Sequence, residues 1–260
     1  MKRTLIHTLP ADLPDELARL ADGARVYDSS CSPEARVYFI EKDGGYYLKS
    51  APRGALANEA AMAGFFHQKG LGAEVLSYRS EERDWLLTAR VAGEDCTHAA
   101  YLADPKRLAE TTATLLRALH EIDPAHCPVQ DHTARYFATA ARNYRAGMFD
   151  LSFLDGEGSL RAEEAWRITQ ESRPLFQNEV LLHGDYCLPN IMLDHWRFSG
   201  FIDLGNGGLG DRHVDLFWGA WTLRYNLKTD RYCDIFFDAY GREAINPTLL
   251  RAIAAIETFG

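Results

Sequence analysis

Two stretches, His183-Gly-Asp-Tyr-Cys-Leu-Pro-Asn190 and Phe201-Ile-Asp-Leu-Gly205, contain the polar groups on which the fold and chemistry of this chain depend. The first follows strand-like residues 180–183. Residues 191–193 and 198–202 have the composition of two short strands, and residues 194–196 between them have that of a turn. This pattern predicts a β-hairpin. Because both stretches come at strand ends, we expect their polar side chains to be presented together.

Asp185, Asn190 and Asp203 are the residue types that phosphoryl transfer requires. In that reaction one carboxylate orients the acceptor hydroxyl, while a side-chain amide and a second carboxylate hold magnesium on the phosphates. Order and spacing predict Asp185 as the base, with Asn190 and Asp203 as metal ligands. Each alone could be an ordinary turn residue, and only their combination favours catalysis. His183 could act as a base, since free histidine titrates near neutral pH, but we predict a structural role in which it hydrogen-bonds the loop backbone.

The remaining chain is strand-rich in its first third and helix-rich afterwards. Strand patterns at residues 36–41 and 46–49 flank the turn Asp43-Gly-Gly45, and residues 56–69 read as a helix. Further strands are predicted at residues 75–78 and 85–88. Helices are predicted at residues 104–119, 136–148, 161–175, 215–223 and 247–256. This order predicts an α+β, two-lobed fold: a small antiparallel-sheet N-lobe (residues 1–91) and a larger helical C-lobe (residues 92–260).

Composition narrows the class of partner. The 260 residues include 28 Lys and Arg against 37 Asp and Glu, a formal charge of −9, which argues against nucleic-acid binding and is compatible with a cationic ligand. The five cysteines form no CxxC pair, and no apolar run reaches the length of a membrane span. We expect a cytoplasmic monomer or homodimer with neither a nucleic-acid nor a membrane partner.

The motifs His-Gly-Asp-Tyr-Cys-Leu-Pro-Asn-Ile and Phe-Ser-Gly-Phe-Ile-Asp-Leu-Gly resemble the signature of the aminoglycoside 3'-phosphotransferases, relatives of protein kinases. The resemblance is clearest in the C-terminal half and extends more faintly over nearly the whole chain. It implies a two-lobed kinase that holds ATP (GTP is possible) between its lobes, with Asp185 as catalytic aspartate and magnesium ions on Asn190 and Asp203. It also implies that Asp215 braces the catalytic loop.

A kinase-like nucleotide site also needs a strand lysine paired with a glutamate from the following helix. Lys49 and Glu59 stand at the matching positions, so we predict that this pair holds the phosphates. The loop before the strand pair lacks the usual glycines. Its serines could supply backbone and hydroxyl donors instead: Ser29, Ser30 and Ser32.

An aminoglycoside acceptor bears several ammonium groups, so its pocket should contain carboxylates. The candidates are Asp155, Glu157 and Glu257, with Phe259 closing the site, as the acidic and aromatic C-terminal tail does in the family. The chain departs from the family pattern at Asn206, which replaces an arginine, and at Tyr225 and Asn226, which stand where relatives have acids. It also ends Glu-Thr-Phe-Gly260, where many relatives end in two acids followed by aromatics. These changes leave the identity of the acceptor open.

Three other functions are compatible with parts of the sequence. A kinase of the same fold could act on another small alcohol or sugar, and a pseudokinase could bind nucleotide without turnover, although the complete catalytic set argues against the latter. Residues 205–210 match GxGxxG, which would suit a dehydrogenase. Asp203 directly before these glycines would repel a bare pyrophosphate, so we reject that interpretation. The expected activity is resistance-conferring phosphorylation of an aminoglycoside, at the 3'-hydroxyl.

Overall fold

The computed structural model describes residues 3–10, 12–31, 33, 35–153 and 162–260. The chain forms two compact units, one made of Met1–Asp95 with Ile191–Gly205 and the other of Cys96–Asn190 with Asn206–Gly260. The predicted lobes at residues 1–91 and 92–260 stay a prediction.

Every strand and helix that the sequence predicts is present, together with short elements that it does not predict. The strands are β1 Thr4–Ile6, β2 Arg25–Asp28, β3 Arg36–Glu41, β4 Tyr46–Pro52, β5 Val75–Ser80, β6 Arg83–Ala89, β7 Glu94–Asp95, β8 Val180–Leu182, β9 Ile191–Asp194, β10 Arg197–Phe201 and β11 Gly208–Gly210. The helices are α1 Asp15–Ala21, α2 Ala57–Gln68, α3 Ala99–Leu102, α4 Pro105–His120, α5 His132–Arg145, α6 Ala162–Ser172, α7 His213–Leu227, α8 Cys233–Tyr240 and α9 Pro247–Glu257.

The first unit is built on a six-stranded antiparallel sheet in the order β1-β2-β3-β4-β6-β5. Apolar side chains that alternate along the strands pack with α1 in one core, made of Leu17, Ala21, Val26, Ile40, Leu48, Trp85 and Leu87. The predicted hairpin of β9 and β10 pairs through β9 with β7 in a separate three-stranded sheet.

The second unit is mainly helical. Helix α4 begins as predicted, because the Asp104 side chain accepts a hydrogen bond from the Arg107 N–H and Pro105 occupies the first turn. Its apolar stripe is buried, including Leu108, Leu116 and Leu119. Helix α5 begins at His132, four residues before the predicted start, and ends at Arg145.

Helix α5 stops earlier than predicted because Gly147 takes a left-handed φ of +68°, a common way to terminate a helix. Elsewhere in the unit, β8 and β11 form a two-stranded antiparallel sheet. None of the helices in the part of the chain that the structure describes has both the length and the apolar composition needed to cross a bilayer.

Candidate active site

Lys49, Glu59 and Asp203 form a charged cluster in the first unit. The Lys49 Nζ lies 2.7 Å from Glu59 Oε2 and 2.8 Å from Asp203 Oδ1. The side chains of Lys49 and Glu59 are 20% and 12% exposed, whereas that of Asp203 is 51% exposed. The structure therefore brings three of the predicted site residues together and leaves one carboxylate accessible.

The cluster holds more negative than positive charge. Burial acts to lower the pKa of Lys49, but the charges and hydrogen bonds of Asp203 and Glu59 outweigh it and raise that pKa. Burial raises the pKa of Glu59, and the charge of Asp203 adds to the rise against the opposing effect of Lys49. One ammonium facing two carboxylates carries a net negative charge when all are ionised, so a further cation is attracted to the exposed Asp203.

Backbone geometry places the three side chains. Lys49 lies on β4, an internal strand, opposite Val37 on one neighbour and Leu86 on the other. Glu59 is in the first turn of α2. Asp203 has a φ of +60°, a left-handed conformation that is unfavourable for residues with a side chain and occurs often at functional sites.

Asp84 supports this cluster and was not singled out from the sequence. Its fully buried carboxylate accepts hydrogen bonds from the Gly54 N–H (2.9 Å), the Leu56 N–H (2.8 Å) and the Tyr78 hydroxyl (3.1 Å). Burial acts to raise the pKa of Asp84, but the hydrogen bonds outweigh it and lower the pKa. The carboxylate thus fixes the loop between β4 and α2. The sequence does contain a signal for this role: Asp84 is a carboxylate within the otherwise mostly apolar strand Arg-Asp-Trp-Leu-Leu, and a buried carboxylate needs hydrogen-bond donors.

In the second unit, the buried carboxylate of Asp215 on α7 holds the loop at residues 183–190. Its Oδ2 accepts from the His183 N–H and its Oδ1 from the Gly184 N–H, both at 2.8 Å. Burial acts to raise the pKa of Asp215, but hydrogen bonds from the His120 ring and the His183 N–H outweigh it and lower the pKa. Gly184 has a φ of +84°, and a Cβ there would lie 1.9 Å from the Asn206 carbonyl oxygen, so the loop requires glycine.

Asp185 and Asn190 are joined within this loop. The Asn190 Nδ2 donates to the Asp185 carbonyl oxygen at 3.0 Å and to its Oδ2 at 2.9 Å. The Leu188 N–H donates to the Thr222 Oγ1 at 3.1 Å, which ties the loop to α7. Because the amide nitrogen of Asn190 faces Asp185, its amide oxygen is left as the hard donor that a magnesium ion prefers. The carboxylate of Asp203, in the first unit, is a donor of the same class, so each of the two residues by itself has the chemistry that this ion prefers.

Two further predicted residues support loops. His183 is fully buried, and its Nδ1 accepts from the Asp185 N–H at 3.3 Å. In the loop between β2 and β3, the Ser30 hydroxyl accepts from the Val37 N–H at 2.9 Å, and Ser29 is buried. These contacts are structural, and the phosphate-binding role of the serines stays a prediction. Ser32, Asp155 and Glu157 lie outside the described residues.

The predicted acceptor residues near the C-terminus are buried. The Glu257 Oε1 accepts from the Tyr136 hydroxyl at 2.6 Å and from the Trp218 Nε1–H at 3.0 Å. Burial raises the pKa of Glu257 to about 7, although both hydrogen bonds oppose the rise. Phe259 is fully buried and packs in the core cluster of α5, α6 and α9. The structure shows the Phe259 ring packed in this core, and a contact between the ring and an acceptor stays a prediction.

A ladder of aromatic rings follows α7 beside Glu257. Phe153 packs on Trp218 and Trp221, and Trp221 stacks on Tyr225 with ring centroids 4.9 Å apart and planes at 10°. Tyr225 is 56% exposed. The chain therefore presents aromatic surface where the resemblance would place acids.

The GxGxxG segment has no dinucleotide-binding geometry. Its final residues, Gly208–Gly210, form β11, which pairs antiparallel with β8 rather than opening a parallel βαβ unit. This pairing is consistent with the expectation that the chain is not a dehydrogenase.

Comparison with known proteins identifies the family. Residues 33–254 match the model described as "Phosphotransferase enzyme family". The chain belongs to the phosphotransferase enzyme family. A probable aminoglycoside 3'-phosphotransferase of Lactococcus lactis subsp. lactis (strain IL1403) is 46% identical over 248 residues, which cover 95% of each chain.

Solved structures of phosphotransferases have the same fold. The aminoglycoside-3'-phosphotransferase of type VIII superposes with a TM-score of 0.78 at 26% identity and covers 95% of this chain and 98% of its own. For aminoglycoside phosphotransferase APH(3'')-Id of Streptomyces rimosus ATCC10970, in complex with ADP and streptomycin, the TM-score is 0.71 at 26% identity, with 95% and 100% covered. The predicted fold class and the predicted enzyme class, a phosphotransferase, are confirmed.

Proposed function

We propose that this phosphotransferase moves the γ-phosphate of ATP onto the 3'-hydroxyl of an aminoglycoside and thereby confers resistance. The observation that carries the proposal is the Lys49 ammonium bonded to both Glu59 and Asp203. A cation held by one buried and one exposed carboxylate is suited to the phosphates of a nucleotide that brings its own metal ion. GTP is the alternative donor.

Each site residue has one task in this proposal. Lys49, oriented by Glu59, binds the phosphates, and Asp203 and Asn190 are the residues that would hold magnesium. A magnesium ion held there would supply neutralisation of the charge on the phosphates. Asp185 accepts the hydrogen bond of the acceptor hydroxyl and takes its proton, and the Asn190 amide fixes that carboxylate for in-line attack.

Tyr47 provides a surface for the nucleobase. It lies two residues before Lys49 on β4, so both side chains are on the same face of the sheet. Its ring packs against Phe39 with centroids 5.2 Å apart, and its hydroxyl accepts from the Arg3 guanidinium at 2.8 Å. An oriented aromatic ring two residues from the phosphate-binding lysine, on the same face of the strand, suits base stacking.

The acceptor is a small cationic aminosugar. The formal charge of −9 and the carboxylate of Glu257, which lies close enough to Asp185 for their charges to interact, support a cationic ligand. The half-exposed aromatic ladder favours a second candidate, an alcohol or sugar with less positive charge. The relative crystallised with streptomycin makes the 3''-hydroxyl a further candidate position.

We place the enzyme in the cytoplasm as a monomer or homodimer, without a membrane or nucleic-acid partner. Its five cysteines form no disulfide within the described residues, which supports a reducing compartment.

Coupled ADP release, with ATP and magnesium, tests the proposal across kanamycin, neomycin, a 3'-deoxy aminoglycoside, streptomycin, choline and simple sugars. We expect turnover with kanamycin and neomycin and none with the 3'-deoxy compound. Asp185→Asn is the matched control: it should retain nucleotide binding and lower kcat by about 10²–10⁴-fold. Turnover of streptomycin alone would indicate that another hydroxyl is phosphorylated. No ADP release with any aminoglycoside would refute the proposal that the acceptor is an aminoglycoside.

A further inference from the structure

A buried line of hydrogen bonds connects Asp215 to two residues that have no assigned role. The His120 Nε2 lies 3.2 Å from Asp215 Oδ2, and the His120 Nδ1 lies 2.8 Å from the Tyr240 hydroxyl. His120 ends α4 and Tyr240 ends α8. The side chains of His120 and Asp215 are 2% and 0% exposed, and Tyr240 is fully buried. All three belong to the second unit.

The hydrogen-bond partners of Asp215, His120 and Tyr240 indicate which atom donates in each of these bonds. Asp215 is ionised, because the hydrogen bonds it accepts lower its pKa despite burial. The His120 Nε2 must therefore donate to it, and in the neutral imidazole this leaves Nδ1 as the acceptor of the Tyr240 O–H. The Arg212 side chain hydrogen-bonds the same Tyr240 oxygen, which is consistent with the hydroxyl proton pointing at His120.

Asp215 uses both carboxylate oxygens in this arrangement. One accepts from Gly184, and the other accepts from both His183 and His120. The imidazole thus shares one carboxylate oxygen with a loop amide, and the three hydrogen bonds together restrict the rotation of the carboxylate. A second tie fixes α8 to α4, since the Arg117 guanidinium donates to the Tyr240 carbonyl oxygen at 3.0 Å. Buried polar networks of this kind order the groups they connect only when every member is satisfied.

We infer that His120 and Tyr240 are positioning residues that set the place of the catalytic loop through Asp215. The inference rests on the proposed role of Asp185, which follows His183 and Gly184 directly in the chain. Neither residue touches a substrate in this scheme. Their contribution is to keep the loop amides, and with them the Asp185 carboxylate, in one orientation.

Kinetics of four variants test the inference. Tyr240→Phe removes only the hydroxyl, His120→Leu removes both ring nitrogens, and His120→Gln keeps a donor for Asp215. Thr169→Val is the matched control, because it deletes a buried hydroxyl that donates within its own helix, to the Ala165 carbonyl oxygen.

We expect His120→Leu to lower kcat by roughly tenfold to a hundredfold, with the KM of both substrates changed less than about twofold. Tyr240→Phe should lower kcat by at least about threefold, and His120→Gln should recover most of the activity lost in His120→Leu. Thr169→Val should leave kcat unchanged. Equal kcat in all variants, or His120→Gln as inactive as His120→Leu at wild-type melting temperature, would overturn the inference.

Amide hydrogen exchange of the peptide covering residues 183–190 gives a readout that needs no acceptor. His120→Leu and Tyr240→Phe should speed exchange at His183 and Gly184 by more than about tenfold, without a matching increase in the first unit. Thr169→Val should not. If wild type phosphorylates no aminoglycoside but the loop exchange changes as expected, the proposed acceptor fails and the positioning role stands. Unchanged loop exchange in both variants refutes the positioning role.

Discussion

Replacing Lys49 by Met tests how far the charged cluster stabilises the first unit. The change leaves the Glu59 carboxylate, 12% exposed, without its cation. Removing one partner of a buried ion pair costs about 3–5 kcal/mol. Because Lys49 and Glu59 keep 20% and 12% of their side-chain surface exposed, we expect the lower end, about 3 kcal/mol, in the free energy of unfolding.

The size of this loss depends on pH. Burial already raises the pKa of Glu59, and without Lys49 it rises further. A carboxyl whose pKa is higher in the folded state contributes stability that is fully present below its unfolded pKa. That contribution is lost as pH rises through the folded pKa. The free energy of unfolding of Lys49→Met should therefore be closer to that of the wild type at about pH 5 than at about pH 8.

Thermal denaturation at both pH values measures the effect. At roughly 2–4 °C per kcal/mol, Lys49→Met should lower the melting temperature by about 6–12 °C at the higher pH. Lys49→Met combined with Glu59→Gln should recover most of the loss. The control is Lys106→Met, whose partner Glu110 lies 3.8 Å away with both side chains exposed, and which should cost less than about 1 kcal/mol. A Lys49→Met protein no less stable than this control, or destabilised further by Glu59→Gln, would refute the reasoning.

Three further changes have defined outcomes. Gly184→Ala should lower both kcat and melting temperature, since its Cβ would lie 1.9 Å from the Asn206 carbonyl oxygen, and wild-type kinetics would contradict the loop geometry. Burial raises the pKa of Glu257 from 4.5 to about 7, so this group's stabilisation is lost as pH rises across that window. Glu257→Gln should therefore narrow the difference in melting temperature between about pH 5 and about pH 8, and an unchanged difference would exclude Glu257 as its source. Tyr47→Ala should raise the KM for nucleotide by roughly tenfold and leave kcat nearly unchanged, and steady-state kinetics with an unaltered KM would remove Tyr47 from the nucleotide site.

Local chemistry explains which parts of the fold could be predicted. Strands β3 and β4 alternate over six and seven residues around a glycine turn, and α4 has a capping aspartate, a first-turn proline and a regular apolar stripe. Such signals lie within one segment and need no distant partner. For the same reason the spacing from Asp185 to Asn190, a single loop, was recognisable as a functional unit.

Short elements were missed because they hold too few residues to show a period. Strands β1 and β2 have three and four residues, and α1 has seven without a side-chain cap. Their place is set by the antiparallel pairing of β1 with β2 and of β2 with β3, and by the common core that they share with β4 and β6. Tertiary contacts of this kind override local propensity.

The role of a carboxylate is set by partners that sequence spacing does not reveal. Charge near the C-terminus indicated Glu257 as an acceptor ligand, yet its carboxylate accepts from Tyr136, 121 residues away, and from Trp218. Burial brings its pKa to about 7, so near neutral pH this group is only partly ionised. An ammonium group of an acceptor bound beside it would favour the ionised form and lower that pKa. Binding of a cationic acceptor at Glu257 would therefore release a proton, whereas binding of a neutral sugar would not, and this proton balance separates the two acceptor classes left open by the sequence.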